Sequence, residues 1–269
     1  MVDIPNNYAW ITRPFILRRL KKDVLEELPD KIETTQYSEL TTEQKQVYLA
    51  YLEKIQSEVK ETIATKGFQR GKLEILAGLT RLRQICCHPG LFLENYQGES
   101  GKLTQLKELV TELKEGGHRL LIFSQFSSML KMLYNELEQM GVEAFYLDGS
   151  TKSEDRLEQV DRFNAGEKDV FFISLKAGGT GLNLTGADTV ILYDLWWNPA
   201  IEEQAAGRAH RIGQKKVVQV IRMLAEGTIE ERIHQLQQKK RDLVDQIIQP
   251  GETMLTSLKE DEIRQLLDM

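Results

Sequence analysis

A chain of 269 residues with 41% hydrophobic side chains holds enough apolar matter for one large core or two small ones. Its formal net charge of −6 argues against wholesale electrostatic capture of nucleic acid but leaves room for a locally basic face. The sequence shows no signal-peptide pattern, no apolar run of membrane length, no low-complexity segment and no clean repeat.

The first hundred residues read as mostly helical and irregular. "ITRPFILRRLKKDVLEELPDKIE" is densely charged and carries Pro29 near its end. Thr41 and Thr42 precede "EQKQVYLAYLEKIQSEVKETIAT", which has a helical apolar period and an acidic first turn. "KLEILAGLTRLRQICCHP" predicts a second helix stopped at Pro89, and "ENYQGESG" is a turn-rich break. Cys86 and Cys87 are adjacent, which makes them poor disulfide partners, and His88 beside them does not complete a tetrahedral metal site. They read as small buried hydrophobes in a reducing compartment.

From Gly101 the pattern alternates. Short apolar runs at "RLLIF", "EAFYL", "DVFFI", "TVILY" and "VVQVIRM" predict strands. Helical stretches are expected at Lys102 to Lys114, Ser127 to Met140, Ser153 to Asn164 and Ile201 to His210. This spacing predicts βαβ units and a mainly parallel sheet. The tail "GTIEERIHQLQQKKRDLVDQII" predicts a long amphipathic helix. Thr228 opens it, with Glu231 three residues later as a capping box, and Pro250 and Gly251 end it; a short helix closes the chain. The division is thus 1–100, 101–226 and 227–269.

In open parallel sheets, ligands bind beyond the carboxyl ends of the strands. Polar or glycine-rich segments fall there four times. Ser124, Gln125 and Phe126 follow the first strand, and Asp148, Gly149, Ser150 and Thr151 the second. "SLKAGGTGLNL" follows the third; Leu195, Trp196, Trp197, Asn198 and Pro199 follow the fourth. Gly178, Gly179 and Gly181 let backbone N–H groups approach a ligand, and Lys176 and Thr180 add a charge and a hydroxyl, which suits phosphate. A tight strand-to-helix turn needing glycine for geometry alone is the other reading. A dinucleotide fold is disfavoured, because no glycine fingerprint follows "RLLIF". The two tryptophans either pack in the core or wedge against nucleic acid.

"QAAGRAHRIGQ" spans 204–214. Gln204, Arg208 and Arg211 stand at i, i+4 and i+7, one stripe of a helix, with small residues between them. Such a stripe presents two guanidinium groups to an anion, unless Glu202 or Glu203 pairs with them on a solvated face. "GFQRGK" and "GESGKL" both fail the P-loop pattern, and no acidic pair follows an apolar strand to hold magnesium.

Together "QAAGRAHRIGQ", "SLKAGGTGLNLTGAD", "LIFSQFSSML", "DGST" with Arg156, and "DLWWNP" resemble the second RecA-like lobe of the Swi/Snf-type ATPases of helicase superfamily two. "RPFILRRLKKDVLEELPDKIE" and "LRQICCHPGL" resemble the end of that family's first lobe and its helical insertion. The resemblance implies an α/β fold: a RecA-like lobe with a mainly parallel sheet flanked by helices, an N-terminal helical insertion and a C-terminal bracing helix. It implies ATP hydrolysis coupled to translocation on double-stranded DNA, with ATP and Mg2+ held mainly by a first lobe upstream of Met1. The chain alone is then expected to be inactive. Arg208 and Arg211 match the family's arginine fingers, and Gln204, Gly181 and Asn183 match positions near the nucleotide. Ser124, Gln125, Ser174, Lys176, Gly178 and Gly179 match DNA-backbone loops; Trp197 and Asn198 match the segment linking DNA to the ATP site. Leu175 stands where many members carry Thr, and Gly207 replaces a larger residue. The implied partners are duplex DNA without sequence preference, the first lobe and a DNA-bound target, in the nucleoid or the nucleus. The rival reading is a non-enzymatic α/β domain whose arginines dock an acidic protein.

Overall fold

The structure is a computed structural model that describes residues 28–175, 177, 181–244 and 258–269. In chain order it begins with β1 (Lys31–Ser38), α1 (Thr42–Lys66), α2 (Phe68–Cys87), α3 (Gly101–Glu115) and β2 (Leu120–Ser124). There follow α4 (Ser127–Gln139), β3 (Ala144–Leu147), α5 (Ser153–Asn164), β4 (Val170–Ser174) and β5 (Thr189–Leu192). It closes with α6 (Pro199–Ala206), β6 (Val218–Ala225), α7 (Ile229–Val244) and α8 (Glu260–Leu267). The six strands form one all-parallel sheet in the order β1-β6-β5-β2-β4-β3.

The central strands are continuous apolar runs because both faces of the sheet are covered. Leu120 and Ile122 of β2 pack with Leu106 and Val110 of α3 and Leu130 and Leu133 of α4. Leu121 and Phe123 point the other way, to a cluster with Val160 and Phe163 of α5 and Ala205 and Ala206 of α6. A third cluster joins α1 and α2 to α7 and α8 through Tyr48, Leu79, Leu82, Ile229, Ile233 and Ile263, and takes in Leu195 and Trp197 from the loop after β5. Cys86 and Cys87 are free and buried, and burial pushes the Cys86 thiol up to about 12. Among the described residues no helix is long and apolar enough to cross a membrane.

Three local expectations differ from the structure. "KIETTQYS", inside the stretch read as helical and irregular, forms β1 and pairs with β6 from Lys31↔Val218 to Ser38↔Ala225. As an edge strand it leaves Ile32 52% and Tyr37 47% exposed, so it carries no apolar run to announce it. The sheet therefore draws on residues from both sides of position 100. The helix expected to reach His210 ends at Ala206, with Gly207 as its C-cap, and Arg208 and Arg211 lie on the turns that follow. Glycine is a poor helix former, and other partners claim the next backbone groups. The capping box of α7 is shifted by one residue. Glu231 accepts from Gly227 N–H at 3.0 Å, while Thr228 Oγ1 accepts from Glu230 N–H at 3.2 Å. Pro250 and Gly251 lie outside the described residues.

The seam between α3 and α7 holds a fully buried ion pair. Lys102 Nζ donates to Glu230 Oε2 and also, at 3.3 Å, to Tyr193 O; the same Glu230 oxygen accepts from Ala225 N–H at 2.9 Å. Burial works against the Lys102 charge, but Glu230 outweighs it and leaves the ammonium pKa above its ordinary value. Removing one partner strands the other in the core. Lys102→Met is expected to destabilise this chain by about 3–5 kcal/mol, whereas Lys102→Met with Glu230→Leu recovers most of that loss. Urea unfolding midpoints of the three proteins check this; equal losses in the single and double variants would contradict it.

Candidate functional site

Asn198 opens α6, its Oδ1 accepting from Ala200 N–H at 3.0 Å, and Pro199 takes the first helical position, where no N–H is needed. After Gly207 the chain runs through tight turns that three contacts pin. Leu184 N–H donates to Arg208 O at 3.0 Å. His210 Nε2 lies 2.7 Å from Pro29 O and must donate, since a carbonyl only accepts. The amide nitrogen of Gln214 donates to Ala209 O, Thr185 O and Ala187 O, at 3.1, 3.2 and 2.7 Å, and its oxygen accepts from the N–H groups of Lys215 and Lys216.

The turns keep the expected residues together although the helix has ended. Gln204, Arg208 and Arg211 line one open depression of about 490 Å³ with Glu203 and Gly207. Arg208 is only 9% exposed, and its Nε has no hydrogen-bond partner among the described residues. Burial lowers its pKa, and the neighbouring charge of Arg211 lowers it further. Arg211 is exposed, with Nη1 3.5 Å from Gly181 O. Gly181 has φ +63, a conformation that favours glycine. Asn183 nearby in the chain is exposed, and its carbonyl accepts from Asn164 Nδ2 at 2.8 Å. Neither arginine forms an ion pair among the described residues. Glu202 is engaged by Arg222 and by Trp196 N–H, and Glu203 pairs with Lys31 at 2.8 Å. The expected pairing of this stripe with Glu202 or Glu203 is therefore not seen among the described residues.

The residues expected at the DNA side divide into two groups. Gln125 and Asn198 are half-buried at the strand ends, and Gln125 Nε2 has no partner among the described residues. Ser124, Ser174 and Trp197 are buried. Ser124 gives its hydroxyl to Asp194, and Trp197, 3% exposed, packs its ring 5.1 Å from the Arg83 guanidinium. Polar and aromatic residues at strand ends look alike in sequence whether they point in or out; these three point in. Lys176, Gly178 and Gly179 lie outside the described residues, as does Thr180. Leu175 is buried in the second apolar cluster. In the loop after β3, Asp148 Oδ1 accepts from Ser150 N–H at 2.8 Å, and Arg156 Nε donates to Thr151 O at 2.8 Å.

Sequence reasoning gave no part to Gln214, His210, Arg83 or Asp194. Gln214 closes the quoted arginine motif, which was the available signal. Asp194 is the hub of the strand ends: it accepts from Ser124 Oγ and, at 3.1 Å, from Gln125 N–H. Burial raises its pKa to about 6 against the pull of Arg83 and those two hydrogen bonds.

Residues 101–213 match the helicase conserved C-terminal domain, and residues 4–91 match the SNF2-related domain. The Sulfolobus solfataricus SWI2/SNF2 ATPase C-terminal domain is 34% identical with a TM-score of 0.70, over 88% of this chain and 98% of that one. This chain belongs to the SWI2/SNF2 family of helicase superfamily two. The SWI2/SNF2 ATPase core of the same archaeon in complex with dsDNA is 35% identical with a TM-score of 0.73, over 97% of this chain and 55% of that one. The putative ATP-dependent helicase/translocase YwqA of Bacillus subtilis is 42% identical over 96% of this chain and 28% of its own length. This SWI2/SNF2 chain spans about a quarter of the length of the curated relatives it matches.

In the folded lobe Asp194 holds its proton up to about pH 6, whereas an unfolded aspartate releases it near 4. Its contribution to stability is therefore fully present below about pH 4 and declines as pH rises towards 6. Asp194→Asn is expected to gain stability relative to the parent as pH rises from 4 to 7. Urea midpoints of both proteins across that range check this; a difference that does not change with pH would contradict it.

Proposed function

We propose that this lobe is the second half of the motor of an ATP-driven double-stranded DNA translocase that remodels DNA-bound proteins, and that Arg208 and Arg211 are its arginine fingers. The carrying observation is the pair of neighbouring guanidiniums, free of carboxylates among the described residues, on turns pinned by Leu184, His210 and Gln214. A polyphosphate fits this arrangement: it would relieve the like-charge contact and supply acceptors for the unpartnered Nε of Arg208. Gln204, Gly181 and Asn183 border the nucleotide in this reading. Magnesium does not belong to this side, because the carboxylate in the depression, Glu203, is paired with Lys31. A first lobe holds the metal and the P-loop.

ATP supplies the phosphoryl group whose transfer to water drives the cycle. Negative charge grows on the transferring group, and two guanidiniums fixed beforehand meet that charge without reorganising. Because the arginines sit on a separate lobe, hydrolysis requires closure of the two lobes. Closure and opening then shift one DNA-contacting surface along the duplex relative to the other. On this lobe Gln125, Asn198, Lys176, Gly178 and Gly179 take the DNA backbone. Ser124, Ser174 and Trp197 serve the same surface from beneath by holding its loops. Amides, small polar groups and a single lysine suit phosphates rather than base edges, so binding is without sequence preference. The dsDNA complex of the Sulfolobus relative supports this partner.

In the two-lobed protein, Arg211→Ala or Arg208→Ala is expected to lower DNA-stimulated phosphate release by up to about a thousandfold, while the KM for ATP changes far less. Lysine at either position does not rescue, since an ammonium lacks the planar fork. Near-normal turnover with a lowered melting temperature in both alanine variants would assign the segment a structural role and overturn the proposal.

A further inference from the structure

A buried polar chain beneath the arginine segment has no part in the roles above. Glu202 on α6 is 1% exposed. Its Oε1 accepts from Trp196 N–H at 3.0 Å and from Gln237 Nε2 at 3.4 Å, and its Oε2 accepts from Arg222 Nε at 3.1 Å. Arg222 on β6 turns Nη1 to Glu33 Oε2 on β1 at 2.8 Å. Glu33 also pairs with Lys31 at 2.6 Å, and Lys31 reaches back to Glu203 on α6 at 2.8 Å. Gln237 on α7 is 2% exposed and also donates to Trp196 O. Three elements, β1, β6 and α7, thus meet on α6, the helix that ends immediately before the Gly207–Arg208 turn.

Burying these charges contributes little net stability, since desolvation offsets much of the attraction. What the network supplies is orientation. The packing of Ala205 and Ala206 against the sheet fixes how deep α6 lies. Small smooth side chains do not fix its rotation, whereas hydrogen bonds to both oxygens of Glu202 do. Through Gln237 that rotation is referred to α7 rather than to the sheet alone. We propose that Gln237 is a positioning residue for hydrolysis: through Glu202 and Trp196, α7 sets the angle at which α6 delivers Arg208 and Arg211. This rests on the arginine-finger reading above. A displacement of α7 against the sheet then changes finger geometry without any contact to nucleotide.

The test is Gln237→Met, which keeps side-chain length and burial and removes both donated hydrogen bonds. In the two-lobed protein, DNA-stimulated turnover at saturating ATP is expected to fall about tenfold, as a small misplacement of a catalytic group produces, with the KM for ATP within about twofold. Gln237→Leu, equally unable to donate, is the second variant and gives the same split. Ile233→Val, on the same helix but in the apolar cluster, controls for helix stability: it lowers Tm and leaves turnover unchanged. Arg211→Ala in the same assay separates the two readings. If it leaves turnover intact, the arginine fingers fall. If it abolishes turnover while both Gln237 variants run at the parent rate, the positioning role is overturned and the fingers stand. Turnover that falls equally in Ile233→Val and Gln237→Met would likewise overturn the positioning role.

Discussion

Arg208 and Arg211 line the same depression, and neither pairs with a carboxylate among the described residues; this uncompensated charge is the condition the rest of the lobe serves. A chain left to itself would fold the arginines back on the nearest acids, Glu202 and Glu203. Each of these is held by another cation: Glu202 by Arg222 and Glu203 by Lys31. The arginines are kept available by keeping their natural partners occupied. Partial burial of Arg208 raises the stakes, because a charge short of both water and counter-ion waits for an anion to complete it.

The fold meets that condition through the sheet's carboxyl edge. Parallel pairing places the ends of β2, β4 and β5 side by side, and Asp194 ties the β2 and β5 ends together through Ser124 and Gln125. The helical pair α1 and α2 is not an appendage to this edge. Arg83 of α2 donates to Leu195 O and stacks near Trp197 and Phe126, so the helical region grips two strand-end loops directly. Close by, Lys102 donates to Tyr193 O, and its ion pair with Glu230 joins α3 to α7. The loops on the proposed DNA side and the turns carrying the arginines therefore share one scaffold, as the proposed coupling of DNA to nucleotide requires.

Much of this was legible in the sequence, for identifiable reasons. β2, β4 and β5 are buried on both faces, so their apolar runs stood out, and the helices between them follow from their periods. β1 was not legible, because an edge strand with exposed Ile32 and Tyr37 and paired Lys31 and Glu33 has the composition of a solvated segment. Helical spacing put Gln204, Arg208 and Arg211 on one stripe, but the helix ends at Ala206 with Gly207 as its C-cap. They meet because Gln214 and His210 fold the following turns back on the same depression. Contacts between residues far apart in sequence, such as Arg222 with Glu202 and Gln237 with Trp196, leave no local pattern to read.

The most direct measurement follows the arginine Nε–H resonances of this chain by NMR as inorganic tripolyphosphate is titrated in. The account predicts saturable shifts of the Arg208 and Arg211 signals, while an arginine already satisfied by carboxylates, such as Arg162 with Glu158 and Glu167, stays in place. Unmoved Arg208 and Arg211 resonances, with shifts confined to other residues, would contradict the claim that this pair is built to receive phosphate.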